Sequence, residues 1–108
     1  MIITILVVTN VCTGVCVKFD WDENKNKINI QKHGIDFADA IDVFNHVMLT
    51  MEDTREDYDE SRWIGIGWLK VLVGVVVYTE QVGDTIRIIS ARRATKQEMR
   101  RYEKSLQH

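Results

Sequence analysis

Residues 71–79 run Val-Leu-Val-Gly-Val-Val-Val-Tyr-Thr, an almost unbroken apolar stretch. A strand with one face in water alternates apolar with polar residues, and this one does not. It reads as a central strand buried on both faces. Its neighbours in the chain fit that frame. Residues 62–69 alternate, with Ile64, Ile66 and Trp68 on the same side as Arg62. Gly83-Asp84 makes the turn into a further strand over residues 86–94. Val47 to Met51 is another strand, and Val15 to Phe19 another before it. Strands that follow one another on short links pair antiparallel.

The helices are marked by their ends. Asp22 caps a helix from Glu23 to about His33, and Gly34 supplies the left-handed stop. This helix is polar, with Ile28 and Ile30 as its few apolar residues. Asp36 starts a second, short helix, in which Phe37, Ala40, Ile41 and Phe44 follow helical spacing and are expected in the core. Thr95-Lys96-Gln97-Glu98 is a capping box that opens a last helix with Met99, Tyr102 and Leu106 on one side. The expected class is α+β: an antiparallel sheet with two N-terminal helices and a C-terminal helix packed on it.

At 108 residues the chain has the size of one domain with its own core. We divide it into residues 1–16, an apolar N-terminal segment, and residues 17–108, the domain. The segment has three readings, in the order non-native extension, leading strand, poor signal peptide. It is short for a membrane span of roughly 20 apolar residues, and it lacks a basic leading region. Cys12 and Cys16 are too few for a zinc site. They fit a reducing cytoplasm, and no metal or other cofactor is expected.

The net charge of −2 hides a strong polarity. From Glu52 to Glu60 there are six acids and one base, Arg55; from Arg87 to Lys104 there are seven bases and two acids. A molecule divided in this way can hold phosphate on one side while its average stays acidic. The bland reading is that both runs are solvated surface.

The basic run begins in the strand Ile86-Arg87-Ile88-Ile89-Ser90-Ala91-Arg92-Arg93-Ala94. Arginine offers a planar fork of donors that suits phosphate oxygens. Metal-free cleavage of RNA needs a base for the 2′-hydroxyl, cations for the pentacoordinate phosphate and an acid for the leaving 5′-oxygen. His33 or Glu80 suits the first role, and Arg62, Arg87, Arg92 and Arg93 suit the second. The third falls to His33, an arginine-assisted water or Tyr102. Each has a plainer reading. His33 closes a helix C-terminus; Arg87 pairs with Glu80 across the turn; Arg92 and Arg93 face solvent; Tyr102 and the tryptophans, Trp21 among them, are packing residues.

Several separate segments, in order, resemble the BrnT toxins: Asp20-Trp21-Asp22-Glu23-Asn24-Lys25, Asn29, Lys32-His33-Gly34-Ile35 with Phe37, Val43-Phe44, Glu60 with Arg62-Trp63, Val76-Val77-Tyr78-Thr79-Glu80, and the arginine strand with Glu98 and Tyr102. The resemblance spans roughly Val17 to Tyr102. It implies a fold similar to RelE and a metal-independent endoribonuclease toxin of a type II toxin–antitoxin system, which cleaves RNA in the cytoplasm and stops translation and growth. It implies a BrnA-like antitoxin with a ribbon-helix-helix part, operator DNA reached through that antitoxin, and no membrane. The site expected from residues and resemblance together is catalytic His33, Arg62, Arg87, Arg92, Arg93 and Glu80, with Lys25, Lys32, Trp21 and Tyr102 on RNA. The alternative is a catalytically weakened homologue that holds antitoxin and helps repress the operon.

Overall fold

The computed structural model describes residues 3–7, 17–58 and 60–107. Cys12, Cys16, the start of the strand expected from Val15, Asp59 of the acidic loop and His108 lie outside them. The elements in chain order are β1 Ile3–Val7, β2 Lys18–Trp21, α1 Glu23–His33, α2 Phe37–Ala40, a 3-10 helix Ile41–Asn45, β3 Val47–Glu52, β4 Trp63–Leu69, β5 Leu72–Gln81, β6 Thr85–Arg93 and α3 Lys96–Ser105. Among the described residues the sheet has the order β1-β3-β4-β5-β6-β2.

The class is the expected α+β. From β1 through β6 each neighbouring pair is antiparallel. The structure adds one parallel pair at the edge, β2 on β6. A parallel pair needs a long connection, and everything from α1 to β5 lies between these two strands. Within the apolar N-terminal segment, β1 lies along the outer edge of β3, with Ile3 opposite Met51 and Val7 opposite Val47. No helix among the described residues is long and apolar enough to cross a membrane.

The apolar run is the central strand β5, and Val73 through Thr79 are all buried. Its alternate residues feed two separate cores. Val76 and Tyr78 join Phe37, Ala40, Val43 and Phe44 from α2 and the 3-10 helix, together with Met48, Ile88 and Ala91. Val73 and Val75 join Leu49, Met51, Ile66 and Ala94 beneath Tyr102 of α3. The first core is aromatic. The Phe44 ring meets Tyr78 at 5.0 Å edge-on and Phe19 at 5.2 Å. Gly65 and Gly67 let the strand come close to this layer: a Cβ on Gly65 would meet Met48 Sδ at 2.5 Å, and one on Gly67 would meet Val43 Cγ2 at 3.0 Å.

The helix ends are as the sequence indicates. The Asp22 carboxylate accepts from the Asn24 and Lys25 amides, and Gly34 has φ 70°. Both arms of the Thr95–Glu98 capping box form. The buried side of α1 is polar. Ile28 and Ile30 are exposed, and Asn26 and Asn29 are the buried residues. This helix docks through hydrogen bonds: Asn26 Oδ1 accepts the Phe37 amide at 2.9 Å, and its Nδ2 donates to Asp36 at 3.0 Å.

Candidate nucleic-acid interface

One irregularity in β6 arranges the arginines. Val77 pairs with Ser90 but the next residue, Tyr78, pairs with Ile88, so Ile89 is an extra residue in a β-bulge. Side chains on a regular strand alternate, and residues five apart point to opposite faces. The bulge resets that count. Arg87 lies opposite Thr79 and Arg92 opposite Val75, so both project on the α3 side of the sheet. Arg93 lies opposite Gly74 and is exposed on the other side. Arg62 precedes Trp63, which packs on the aromatic core, so Arg62 also belongs to the α3 side. Glu80 lies opposite Ile86, whose side chain packs on the aromatic core. The structure therefore puts Arg62, Arg87 and Arg92 on one face of the sheet and Glu80 and Arg93 on the other. The cross-strand pair of Arg87 with Glu80 is absent; Arg87 meets Asp20 instead, at 3.4 Å on an exposed rim.

Because α3 covers only part of this face, a groove of about 110 Å³ remains beside it. Met51, Ile64, Ile66, Val75 and Val77 form its floor, and Arg55, Arg92, Glu98 and Arg101 its rim, with Ser90 at the β6 side. The rim cations are held in different ways. Arg92 makes a two-pronged bond to Glu98, both contacts 2.8 Å. Those bonds from Arg92 hold the Glu98 carboxyl down at about 2, with help from the Thr95 amide, and Glu98 in turn raises Arg92. Arg55 forks onto Asp53, with Nε to Oδ1 and an Nη to Oδ2 both 2.8 Å, and Tyr58 donates to the same carboxylate at 3.2 Å. The bond from Arg55 is the main reason Asp53 sits at about 2, although burial opposes it. Arg55 lies near enough that its charge works against the rise at Arg92. Arg101 has no hydrogen-bond or ion-pair partner among the described residues. Arg62 lies over the Tyr58 ring at 4.1 Å, and its buried Nε has no hydrogen-bond partner among the described residues.

A second hollow, about 200 Å³, lies on the outer edge of β6 between Lys25, Lys32 and His33 of α1 and Ile89 and Ser90 of the bulge. Ser90 lines both hollows, so basic groups continue around the β6 edge from α3 to α1. Lys25, Lys32 and His33 are exposed and carry no ion pair among the described residues. The larger hollow of about 570 Å³ in the acidic loop has the opposite character. Glu52, Glu56, Asp57 and Glu60 line it and repel a polyanion.

Two expected RNA contacts are packing residues. Tyr102 is buried, and its hydroxyl donates to the Val47 carbonyl at 2.7 Å. Trp21 lies edge-on to Phe37 at 6.2 Å, and its ring nitrogen donates to Glu23. Arg55, Arg101 and Ser90, which line these hollows, are not among the residues expected from the sequence. Arg55 was the single base in an acidic run, which was the available signal. Arg101 was counted only as part of a basic run. Among the described residues no group of three or more His, Cys, Asp or Glu is placed to hold a metal ion.

Residues 21–98 match the family described as the ribonuclease toxin BrnT of type II toxin–antitoxin systems. Among solved structures the chain is similar to the Brucella abortus ribonuclease toxin BrnT, with 28% identity, a TM-score of 0.58, and coverage of 75% of this chain and 100% of that one. No curated protein matches the sequence. The family match covers most of the chain and takes in the bulged arginine strand, the α1 basic edge and the capping box of α3. This protein belongs to the BrnT ribonuclease toxins of type II toxin–antitoxin systems.

Proposed function

We propose that the chain is a metal-independent endoribonuclease that cleaves RNA on the α3 face of its sheet and so stops translation and growth. The observation that carries this reading is the Ile89 bulge, which puts Arg87 and Arg92 on the same side as Arg62. Three guanidinium groups at one surface suit the charge that builds on a phosphorane. Arg101 adds a free cation to hold the strand. Lys25 and Lys32 extend the phosphate track along the β6 edge. His33 is the group on that edge suited to proton transfer, first from the 2′-hydroxyl and then to the leaving 5′-oxygen. Glu80, Arg93, Trp21 and Tyr102 are left out of the chemistry, on the placements above.

The family implies an antitoxin partner. In this reading the partner is a BrnA-like ribbon-helix-helix protein, the complex reaches operator DNA through it, and the toxin acts in the cytoplasm. The test is induction of the wild-type gene without antitoxin, with and without chelator in the matching assay on purified protein. The reading requires growth arrest, and RNA fragments that form at an unchanged rate in EDTA. A folded protein that leaves RNA intact would refute the enzyme.

One observation favours a second reading. Arg92 and Arg55 are already bound to carboxylates of the same chain. A weakened homologue that only binds antitoxin and co-represses fits that occupancy. It predicts tight antitoxin binding with no cleavage.

A further inference from the structure

Strand β2 covers β6 only from Thr85 to Ile88. Past that point no strand among the described residues lies beside the outer edge of β6, yet Ala91 is fully buried there and its backbone groups need partners. Asn29 supplies them. The Ala91 amide donates to Asn29 Oδ1 at 3.1 Å, and Asn29 Nδ2 donates to the Ala91 carbonyl at 2.8 Å. The same Nδ2 also donates to the Ile35 carbonyl at 2.8 Å, just past the end of α1. A carboxamide presents an acceptor and two donors from one side chain, and all are used here. Asn29 takes the place of the missing strand and is only 5% exposed.

Its position on α1 matters as much as its bonds. Lys25, Asn29, Lys32 and His33 stand at helical spacings of four, three and one, so they share one side of the helix. That side carries no buried apolar residue, since Ile28 and Ile30 are exposed. Ala91 lies between Ser90, which lines both hollows, and Arg92 of the groove. The bonds between Asn29 and Ala91 are therefore the direct mechanical link between the basic edge and the arginine face.

The geometry points to Asn29 as a positioning residue that holds Lys25, Lys32 and His33 in register with the arginine groove for RNA. This rests on the ribonuclease reading above. Asn29 touches no substrate; it acts through α1.

The test uses purified full-length protein and a short single-stranded RNA, with cleavage and binding followed across a range of salt. Each cation that meets a phosphate adds about 0.7 to the salt slope for single strands. Asn29→Ala is expected to lower cleavage about 100-fold, since a misplacement near 1 Å costs that much. It should also flatten the salt slope by about 1.4 as Lys25 and Lys32 lose their phosphates. Lys32→Ala, costly in the wild type, should cost little more in the Asn29→Ala background. Asn29→Gln keeps the same donors and acceptor on a longer arm. It should give the same changes to a smaller degree, and it carries the test if the alanine variant does not fold. A purely structural role gives a different result: activity falls only with the folded fraction, the salt slope is unchanged and the Lys32 effect is additive. That result overturns the proposal while leaving the ribonuclease reading intact. A wild-type protein that neither binds nor cleaves the RNA overturns both.

Discussion

On one face of the sheet, α2 and the 3-10 helix lay Phe37, Val43 and Phe44 over Tyr78 and Ile88, and among the described residues no charged side chain is buried with them. On the other, a single helix covers the sheet through Tyr102 and a half-buried Met99, and arginines line what it leaves open. The same central strand serves both. Its even-numbered residues, Val76 and Tyr78, face the sealed side, and Val75 and Val77 form the floor of the open one. The difference separates tasks. The sealed face supplies burial, which favours folding in proportion to apolar area. The open face carries charge that would be costly to bury, so its cations either pair with carboxylates or stay wet.

That division is tested most strongly on the sealed side. Phe44→Ala removes a ring that is 1% exposed and touches two others, and should cost about 3–5 kcal/mol of stability in urea denaturation. Met99→Ala on the open side should cost about 1 kcal/mol, because that residue is only partly buried. Equal losses would break the comparison.

On the open face Arg92 combines an effect on cleavage with one on stability. Arg92→Ala removes a groove cation and leaves Glu98 with only the Thr95 cap. RNA cleavage should drop about 100-fold, and stability by about 1 kcal/mol for a half-exposed charge-assisted pair. Loss of activity equal to the loss of folded protein would show Arg92 to be a brace alone.

The ion pairs of this face also give it a pH signature. Glu98 and Asp53 are held at about 2, below their ordinary values of 4.5 and 3.8. A carboxylate depressed by folding contributes fully above its unfolded value and loses that contribution as pH falls toward its folded one. Thermal stability should therefore be flat above about pH 4.5 and fall toward pH 2. In Arg92→Ala the Glu98 share of that fall should shrink. An unchanged acid profile in the variant would mean the pair carries no linkage. A small effect is expected at Glu80, where Glu80→Gln should leave cleavage within about twofold, since the group is exposed on the other face.

Much of this architecture was legible because local chemistry marks it. Asp22, Gly34 and the Thr95–Glu98 box carry their own end signals, and the run at residues 71–79 has no polar alternation. What escaped was set by tertiary contacts. The Ile89 bulge is one extra residue with no side-chain signature, yet it decides which arginines share a face. The parallel seat of β2 depends on the far end of the chain. On α1 the few apolar residues, Ile28 and Ile30, are exposed, and the buried side is made by two asparagines, of which Asn29 bonds the backbone of Ile35 and Ala91. For the candidate site, residue type marked Arg62, Arg87 and Arg92, which lie on the α3 face, and Lys32 and His33, which line the hollow beside α1. It missed Arg55, whose acidic neighbours masked it, and it included Tyr102, whose hydroxyl proved to be a core hydrogen bond.

In the ribonuclease reading the bulge sorts the arginines of β6 into a working face and an idle one. Its most direct test is single-turnover RNA cleavage by Arg87→Ala beside Arg93→Ala. Arg87 makes only an exposed 3.4 Å contact with Asp20 and Arg93 makes no side-chain bond among the described residues, so both variants should fold as the wild type does. Arg87→Ala should lose about 100-fold in rate, and Arg93→Ala should stay within about twofold of the wild type. Full activity in Arg87→Ala with loss in Arg93→Ala, or equal losses in both, would contradict that sorting.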